Sequence, residues 1–289
     1  MDLTKIKFIF FRKLGGENFI MFKLIHGDCT KELEKLIKNN IKVDLTITSP
    51  PYDNLRNYNN NLKWDFPTFK KIADQLYEIT INGGVVVWIV NDAVINGSET
   101  GTSFKQALYF KEIGFNLHDT MIYAKNNPVP NAKTRYQQGF EYMFVFSKGK
   151  PKTTNILYEP RHNKYDDKRT FRQDKQFNRT FKGEHLRRNY KYKENVPKRN
   201  IWYYSLGLNG TTRYKDAFNH PAIFPEKLAK DHILSWSNPG DLVLDPFMGS
   251  GTVGVMCLEN NREFIGVEIV EEYYNIALKR CKEYQSKLI

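Results

Sequence analysis

Asp245-Pro246-Phe247-Met248-Gly249-Ser250-Gly251-Thr252 follows the short apolar run Leu242–Leu244 and opens a helical pattern at Thr252. Gly249 and Gly251 permit a tight strand-to-helix turn and let a ligand approach the backbone. The helix start beyond them offers free N–H groups to an anionic group. The next apolar strand, Phe264–Ile269, carries Glu268, a carboxylate able to accept from two ribose hydroxyls. Gly249, Gly251 and Gly254 also fit GxGxxG, with Glu268 nineteen residues after Gly249, the spacing of a dinucleotide fingerprint. That spacing does not separate a nicotinamide cofactor from S-adenosylmethionine, because each carries an adenosine whose ribose wants a carboxylate. An NAD-dependent oxidoreductase stays open at this point.

Outward from this turn, strands and helices alternate. Phe22–His26 reads as a strand ending in Gly27-Asp28, Thr30–Ile37 as a helix, and Val43–Thr48 as a second strand. Phe66–Ile81 reads as a helix closed by Asn82-Gly83-Gly84, Val85–Val90 as a buried strand, and Phe104–Ile113 as a helix stopped by Gly114. His118–Ala124 and Glu141–Ser147 alternate as strands, while Pro225–Ser235 and Glu271–Tyr284 read as helices. The alternation predicts an α/β fold with a mostly parallel sheet covered on both faces.

The strand Val43–Thr48 runs directly into Ser49-Pro50-Pro51-Tyr52. Ends of parallel strands are where ligand sites form. The two prolines fix the backbone and remove two donors, leaving nearby carbonyls free as acceptors. Ser49 adds a hydroxyl acceptor and Tyr52 a flat face. Acceptors beside an aromatic plane suit a planar substrate with an exocyclic amine.

The 289 residues hold 44 Lys and Arg against 32 Asp and Glu, a net charge of +12. Residues 150–199 alone hold 16 basic and 6 acidic residues, so nearly all the excess sits in one window. Tyr165, Phe171, Phe177, Phe181, Tyr190 and Tyr192 are interleaved among those cations, without a sustained helical or strand period. Such a segment suits contact with a nucleic-acid backbone. No stretch approaches the roughly 18 apolar residues that span a bilayer. Cys29, Cys257 and Cys281 form no CxxC, which argues against a disulfide framework or a cysteine zinc site and for a reducing cytoplasm. No spacing suggests a metal site. Trp64, Trp88, Trp202 and Trp236 are expected in the core.

Taken together, the two turns resemble those of the amino-methyltransferases of DNA, the N4-cytosine and N6-adenine family, and the resemblance covers most of residues 22–285. Ser49-Pro50-Pro51-Tyr52 resembles the family's catalytic motif and Asp245 to Thr252 its cofactor motif, in the permuted β-type order. The resemblance implies a circularly permuted S-adenosylmethionine-dependent methyltransferase fold, a doubly wound, mostly parallel seven-stranded sheet with an inserted basic recognition region. Residues 21–149 would form the catalytic half, 150–215 the target-recognition insertion and 216–289 the cofactor-binding half. His220-Pro221 through Pro225-Glu226-Lys227-Leu228 resembles the helix motif that precedes the cofactor turn, with Phe224 where relatives often carry lysine.

By the same resemblance, Asp28, Asp245, Phe247, Gly249, Ser250, Gly251, Thr252 and Glu268 would hold S-adenosylmethionine, with Asp28 meeting the adenine amine. Ser49, Pro50, Pro51 and Tyr52 would act on a base flipped out of double-stranded DNA. Tyr52 would stack on it, the Ser49 hydroxyl and Pro50 carbonyl would accept from its amine, and the freed lone pair would attack the methyl group in line. Neither a metal nor a covalent intermediate is required. Ser at the first motif position goes mostly with N4-cytosine and Asp mostly with N6-adenine, which favours cytosine here. Arg56, Lys133, Arg135, Arg169, Arg172, Arg179, Arg187 and Arg188 are the expected DNA contacts. A companion restriction endonuclease, and monomer against homodimer, stay open, as do a lapsed DNA-binding module and an RNA or protein amine methyltransferase.

Gly15-Gly16-Glu17 is encodable as a ribosome-binding site three codons before Met21. Residues 1–20 are therefore expected to be either a leader upstream of the true start or a disordered arm.

Overall fold

The computed structural model describes residues 6–12, 19–51, 64–128, 135–161, 194–219 and 223–286. Tyr52, Arg56, Lys133, Arg169, Arg172, Arg179, Arg187 and Arg188 lie outside the described residues, as does His220-Pro221.

The amino-terminal half contains β1 (Ile6–Arg12), β2 (Phe19–His26), α1 (Cys29–Lys38), β3 (Val43–Thr48), α2 (Phe66–Ile79) and β4 (Thr80–Val90). It continues through a small ribbon, β5 (Val94–Ile95) and β6 (Ser98–Glu99), to α3 (Thr102–Glu112), β7 (Asn116–Lys125) and β8 (Phe140–Ser147). Then come β9 (Tyr158–Pro160), β10 (Asn195–Pro197), β11 (Ile201–Tyr204), α4 (Glu226–Trp236), β12 (Leu242–Asp245), α5 (Thr252–Glu259), β13 (Glu263–Glu268) and α6 (Glu271–Ser286).

Local chemistry sets most of these elements. Asp28 caps α1 by accepting from Thr30 N–H, and Asp65 caps α2 by accepting from Thr68 N–H. Phe69, Ile72, Ala73, Leu76 and Ile79 repeat at helical spacing on the buried face of α2. β4 is buried along Val85–Val90, as a strand covered on both sides must be. Asn96 and Gly97 both have positive φ, 50° and 79°, and turn the β5–β6 ribbon.

The main sheet has nine strands in the order β1-β2-β13-β12-β3-β4-β8-β7-β11. The expected seven are present as β2 through β7 of that order, flanked by β1 and β11. β1 pairs antiparallel with β2 as an edge strand, and β2 begins at Phe19. β11 pairs parallel with β7. The inner pairings β2–β13, β13–β12, β12–β3 and β3–β4 are all parallel, and β8 runs antiparallel between β4 and β7. The last two strands of the chain thus occupy the middle of the sheet, between the early strands β2 and β3.

Helices cover both faces. Leu33, Leu36, Phe69, Leu76 and Phe110 of α1–α3 pack with Val86, Trp88, Phe144, Leu244 and Ile265 in one cluster. On the opposite face Gly254 of α5 lies so close to Phe264 that an added Cβ would sit 2.9 Å from its ring. Neighbouring strand residues point to opposite faces, so Ile265 and Phe264 serve different layers.

Two boundaries differ from expectation. The helix Phe66–Ile81 ends at Ile79, because the Thr80 hydroxyl donates to Leu76 O at 2.6 Å and the chain turns extended. Asn82-Gly83-Gly84 then lies within β4, bonded to the end of β8 through Gly83 N–H to Lys148 O and Lys148 N–H to Gly84 O. Gly84 is needed there: a Cβ would come within 2.6 Å of Thr80 Cγ2. The stretch 150–215, expected as the insertion, is shared between the two compact units of the chain. Residues 156–199 form a separate compact unit, while 200–215 belong to the main unit through β11. The ends of the smaller unit are tied by β9–β10 pairing and by Arg161 N–H to Glu194 O and Lys198 N–H to Leu157 O.

Candidate active site

β12 and β3 are parallel neighbours, with Val243 opposite Leu45 and Leu244 opposite Thr46. The two singled-out turns therefore leave the sheet side by side at its carboxyl edge. The Thr48 hydroxyl donates to Asp245 Oδ1 at 2.7 Å and clasps them together across 197 residues of sequence. Asp245 Oδ1 also accepts from Phe247 N–H at 3.1 Å. Burial pushes the Asp245 carboxyl up to about 7, against the pull of those two hydrogen bonds. Asp245 is buried, with its carboxyl engaged by Thr48 and Phe247.

The turn after β12 is rich in backbone donors. Gly249 and Gly251 adopt φ of 53° and 81°, in the left-handed region that glycine enters at no steric cost. Met248 N–H donates to Val267 O, and Gly251 N–H to Met248 O, each at 2.9 Å. Gly251 caps α5 with no side chain, so the first N–H groups of that helix have no intrahelical partner. A Cβ on Gly251 would meet Ala277 Cβ of α6 at 2.8 Å, so this glycine answers to helix packing as well as to any ligand. Ser250 is buried, and its carbonyl and hydroxyl accept from Arg280 Nη1 at 2.6 and 3.0 Å.

Glu268 ends β13 across from this turn. Its Oε2 accepts from Gly249 N–H and its Oε1 from Val270 N–H, both at 2.8 Å. Burial raises the carboxyl above the usual carboxylate range, while those backbone bonds oppose the rise. A carboxylate has about four acceptor positions, so two bonds leave capacity for a ligand. Asp28 Oδ1 accepts from Thr30 N–H at 2.8 Å and the Thr30 hydroxyl at 2.6 Å. Burial works to raise the Asp28 carboxyl, but the bonds from Thr30 and Lys31 outweigh it and hold the group below its ordinary value.

These groups share one cleft with a cavity volume of about 140 Å³. The lining includes Asp28, Ser49, Pro51, Phe247, Gly249, Ser250, Thr252 and Glu268, with Thr68 and Ile72 from α2. Pro50 is buried behind its neighbours. Trp64 and Phe224 also line the cleft. Trp64 stands edge-on to Phe247, with ring centroids 5.4 Å apart, and is a wall residue rather than the core residue expected. Its place just before the Asp65 cap was the available sequence signal. Neither lysine nor arginine occurs among the described residues lining the cleft. Arg135 lies elsewhere. It donates to Gly97 O and pairs with Glu99 at 3.9 Å, against the β5–β6 ribbon.

Comparison with known proteins agrees with this geometry. The family model N6_N4_Mtase, described as DNA methylase, matches residues 43–279. The orphan methyltransferase M.BamHII of Bacillus amyloliquefaciens is 52% identical over 263 residues, covering 89% of this chain and 91% of that protein. The DNA adenine methyltransferase YhdJ of Escherichia coli (strain K12) is 28% identical over 262 residues, covering 89% and 81%. The solved M1.HpyAVI–SAM complex superposes with a TM-score of 0.58 at 24% identity, covering 90% of this chain and 100% of that one, and so shares the fold. Two adjacent strand ends carry the two turns, the circularly permuted α/β sheet supports them, and the family model spans both: the chain belongs to the N6/N4 family of DNA methylases.

Proposed function

We propose that this DNA amino-methyltransferase holds S-adenosylmethionine in the cleft between β12 and β3 and modifies the exocyclic amine of a flipped base in double-stranded DNA, with N4 of cytosine as the preferred target. The observation that carries the reading is the lining of the cleft. Glu268 and Asp28 supply acceptors, the aromatic rings Trp64, Phe224 and Phe247 supply flat walls, and no described lining residue is cationic. A sulfonium nucleoside suits this surface, since its charge is positive and its ribose and adenine amine donate. The residues present therefore fit S-adenosylmethionine.

When bound, S-adenosylmethionine supplies an electrophilic methyl group on a positively charged sulfur. The chain's own contribution is placement and electrostatics. Glu268 accepts from the ribose and Asp28 from the adenine amine. Ser49 and the Pro50 carbonyl accept from the two N–H bonds of the target amine, while Tyr52 stacks on the base. Drawing both N–H bonds toward acceptors frees the nitrogen lone pair. Pro50 and Pro51 have no N–H, so neither competes as a backbone donor. The acceptors are fixed before the base arrives, which is where such preorganisation gains rate. The basic window, with Arg169, Arg172, Arg179, Arg187 and Arg188, supplies phosphate contacts, helped by Arg56, Lys133 and Arg135.

Ser49 supports cytosine over adenine through the family's motif preference. Single-molecule sequencing of DNA from an expressing host tests the reading. N4-methylcytosine at a defined site is the expected result. N6-methyladenine at a defined site overturns the base assignment alone, and unmodified DNA from a host making folded protein overturns the function.

A further inference from the structure

Arg280 of α6 is 1% exposed and among the largest fully buried side chains among the described residues. Burying a guanidinium is costly unless it is paired and hydrogen-bonded, and Arg280 uses both terminal nitrogens while its buried Nε has no partner. Here Nη1 donates to Ser250 O at 2.6 Å and Ser250 Oγ at 3.0 Å. Nη2 donates to Glu226 Oε1 at 2.9 Å, on the first residue of α4. Glu226 in turn accepts from the Thr212 hydroxyl at 2.5 Å, and the Tyr214 ring lies 5.1 Å from the guanidinium. One side chain thus joins α6, α4 and the 211–214 loop to the single peptide unit in the middle of the glycine turn.

Its position runs against the simplest electrostatic rule. A helix start favours negative charge, yet this cation sits at the start of α5, 3.4 Å from Thr252 Oγ1. Glu226 compensates the charge, and what remains is a directed effect on Ser250. With its carbonyl held by Arg280 and the Gly251 N–H given to Met248 O, the Ser250–Gly251 peptide plane is fixed at both edges. That plane sets the direction of the backbone donors that follow it into α5.

We infer that Arg280 is a positioning residue for the cofactor: with Glu226 it holds the Ser250–Gly251 peptide so that the glycine turn presents a preformed surface to S-adenosylmethionine. The inference rests on placing S-adenosylmethionine in the cleft described above.

The test uses the full chain and three readouts: S-adenosylmethionine affinity by calorimetry, duplex DNA affinity by fluorescence anisotropy, and melting temperature. Arg280→Met combined with Glu226→Gln removes the buried pair as a unit without leaving a lone charge. It is expected to weaken S-adenosylmethionine binding by about ten-fold or more, the scale of a lost charged hydrogen bond, while DNA affinity stays within about two-fold. Arg280→Lys keeps the charge but not the planar fork, and is expected to lose cofactor affinity by an intermediate factor at nearly unchanged melting temperature. Wild-type cofactor affinity in a folded double variant makes Arg280 merely structural and overturns the inference. If the double variant does not fold, Arg280→Lys decides in the same way. Glu268→Gln separates the two levels. Loss of affinity there with none in the Arg280 variants sinks this inference alone, whereas no loss in either sinks the placement of the cofactor.

Discussion

The turns that end β12 and β3 are neighbours with opposite chemistry. The glycine turn 245–252 is threaded with backbone N–H groups and tied at Asp245, Met248, Gly249, Ser250 and Gly251 to the rest of the fold. The Ser49-Pro50-Pro51 turn has lost two N–H groups to proline and offers oxygens instead. In the proposed function one turn holds the cofactor and the other pulls on the target amine. Their place on adjacent strands of one sheet fixes the separation of the two turns.

The contrast predicts that damage to the two turns separates into rate and affinity. The largest effect should come from the acceptor turn. Ser49→Ala or Tyr52→Ala is expected to lower the methyl-transfer rate by roughly 10²–10³, the scale of a lost preorganised group, with S-adenosylmethionine affinity nearly unchanged. Radiolabelled methyl transfer beside calorimetry checks this, and a Ser49→Ala enzyme of normal rate breaks the contrast. Glu268→Gln should weaken S-adenosylmethionine binding about 10- to 100-fold, because it removes charge-assisted acceptance and disturbs the bonds from Gly249 and Val270. Equilibrium binding measures it directly.

Gly251→Ala tests whether the donor turn is limited by packing. Its φ of 81° and the 2.8 Å approach to Ala277 predict a loss of about 1–3 kcal/mol in chemical denaturation. The smallest effect concerns the clasp. Asp245 is pushed up to about 7 in the folded chain, above its ordinary 3.8, so the folded state holds this proton more tightly than the unfolded state. The group's favourable contribution is complete below about pH 4 and is lost as pH rises toward 7. The melting temperature of the wild type should therefore fall relative to Asp245→Asn between pH 4 and 7 and level off above. A difference that stays flat with pH would mean that Asp245 is not buried as a carboxylic acid.

Much of this was legible in the residues. The DPFMGSGT and SPPY turns, the alternation around them and the acidic strand ends at Asp28 and Glu268 carry their signals locally. Phe224 and Arg280 did not, because nothing near them in sequence says what they face. Asp245 was legible as a motif residue, while only the fold shows that its carboxyl meets the Thr48 hydroxyl. The Asn82-Gly83-Gly84 stretch was misread as a helix stop because glycine serves a crowded strand as readily as a turn.

The sequence by itself determined the elements and the chemistry of each strand end. Capping, periodicity, positive φ at glycine and the missing N–H of proline act within a few residues. Only the tertiary structure decided which strand ends meet. β12 and β13 come from the last fifth of the chain yet fill the sheet between β2 and β3. Their position follows from burying both faces of a parallel sheet, a sum over distant partners that no local pattern encodes. The same packing puts Thr48 on Asp245 and Arg280 on Ser250, and so turns two separate motifs into one cleft.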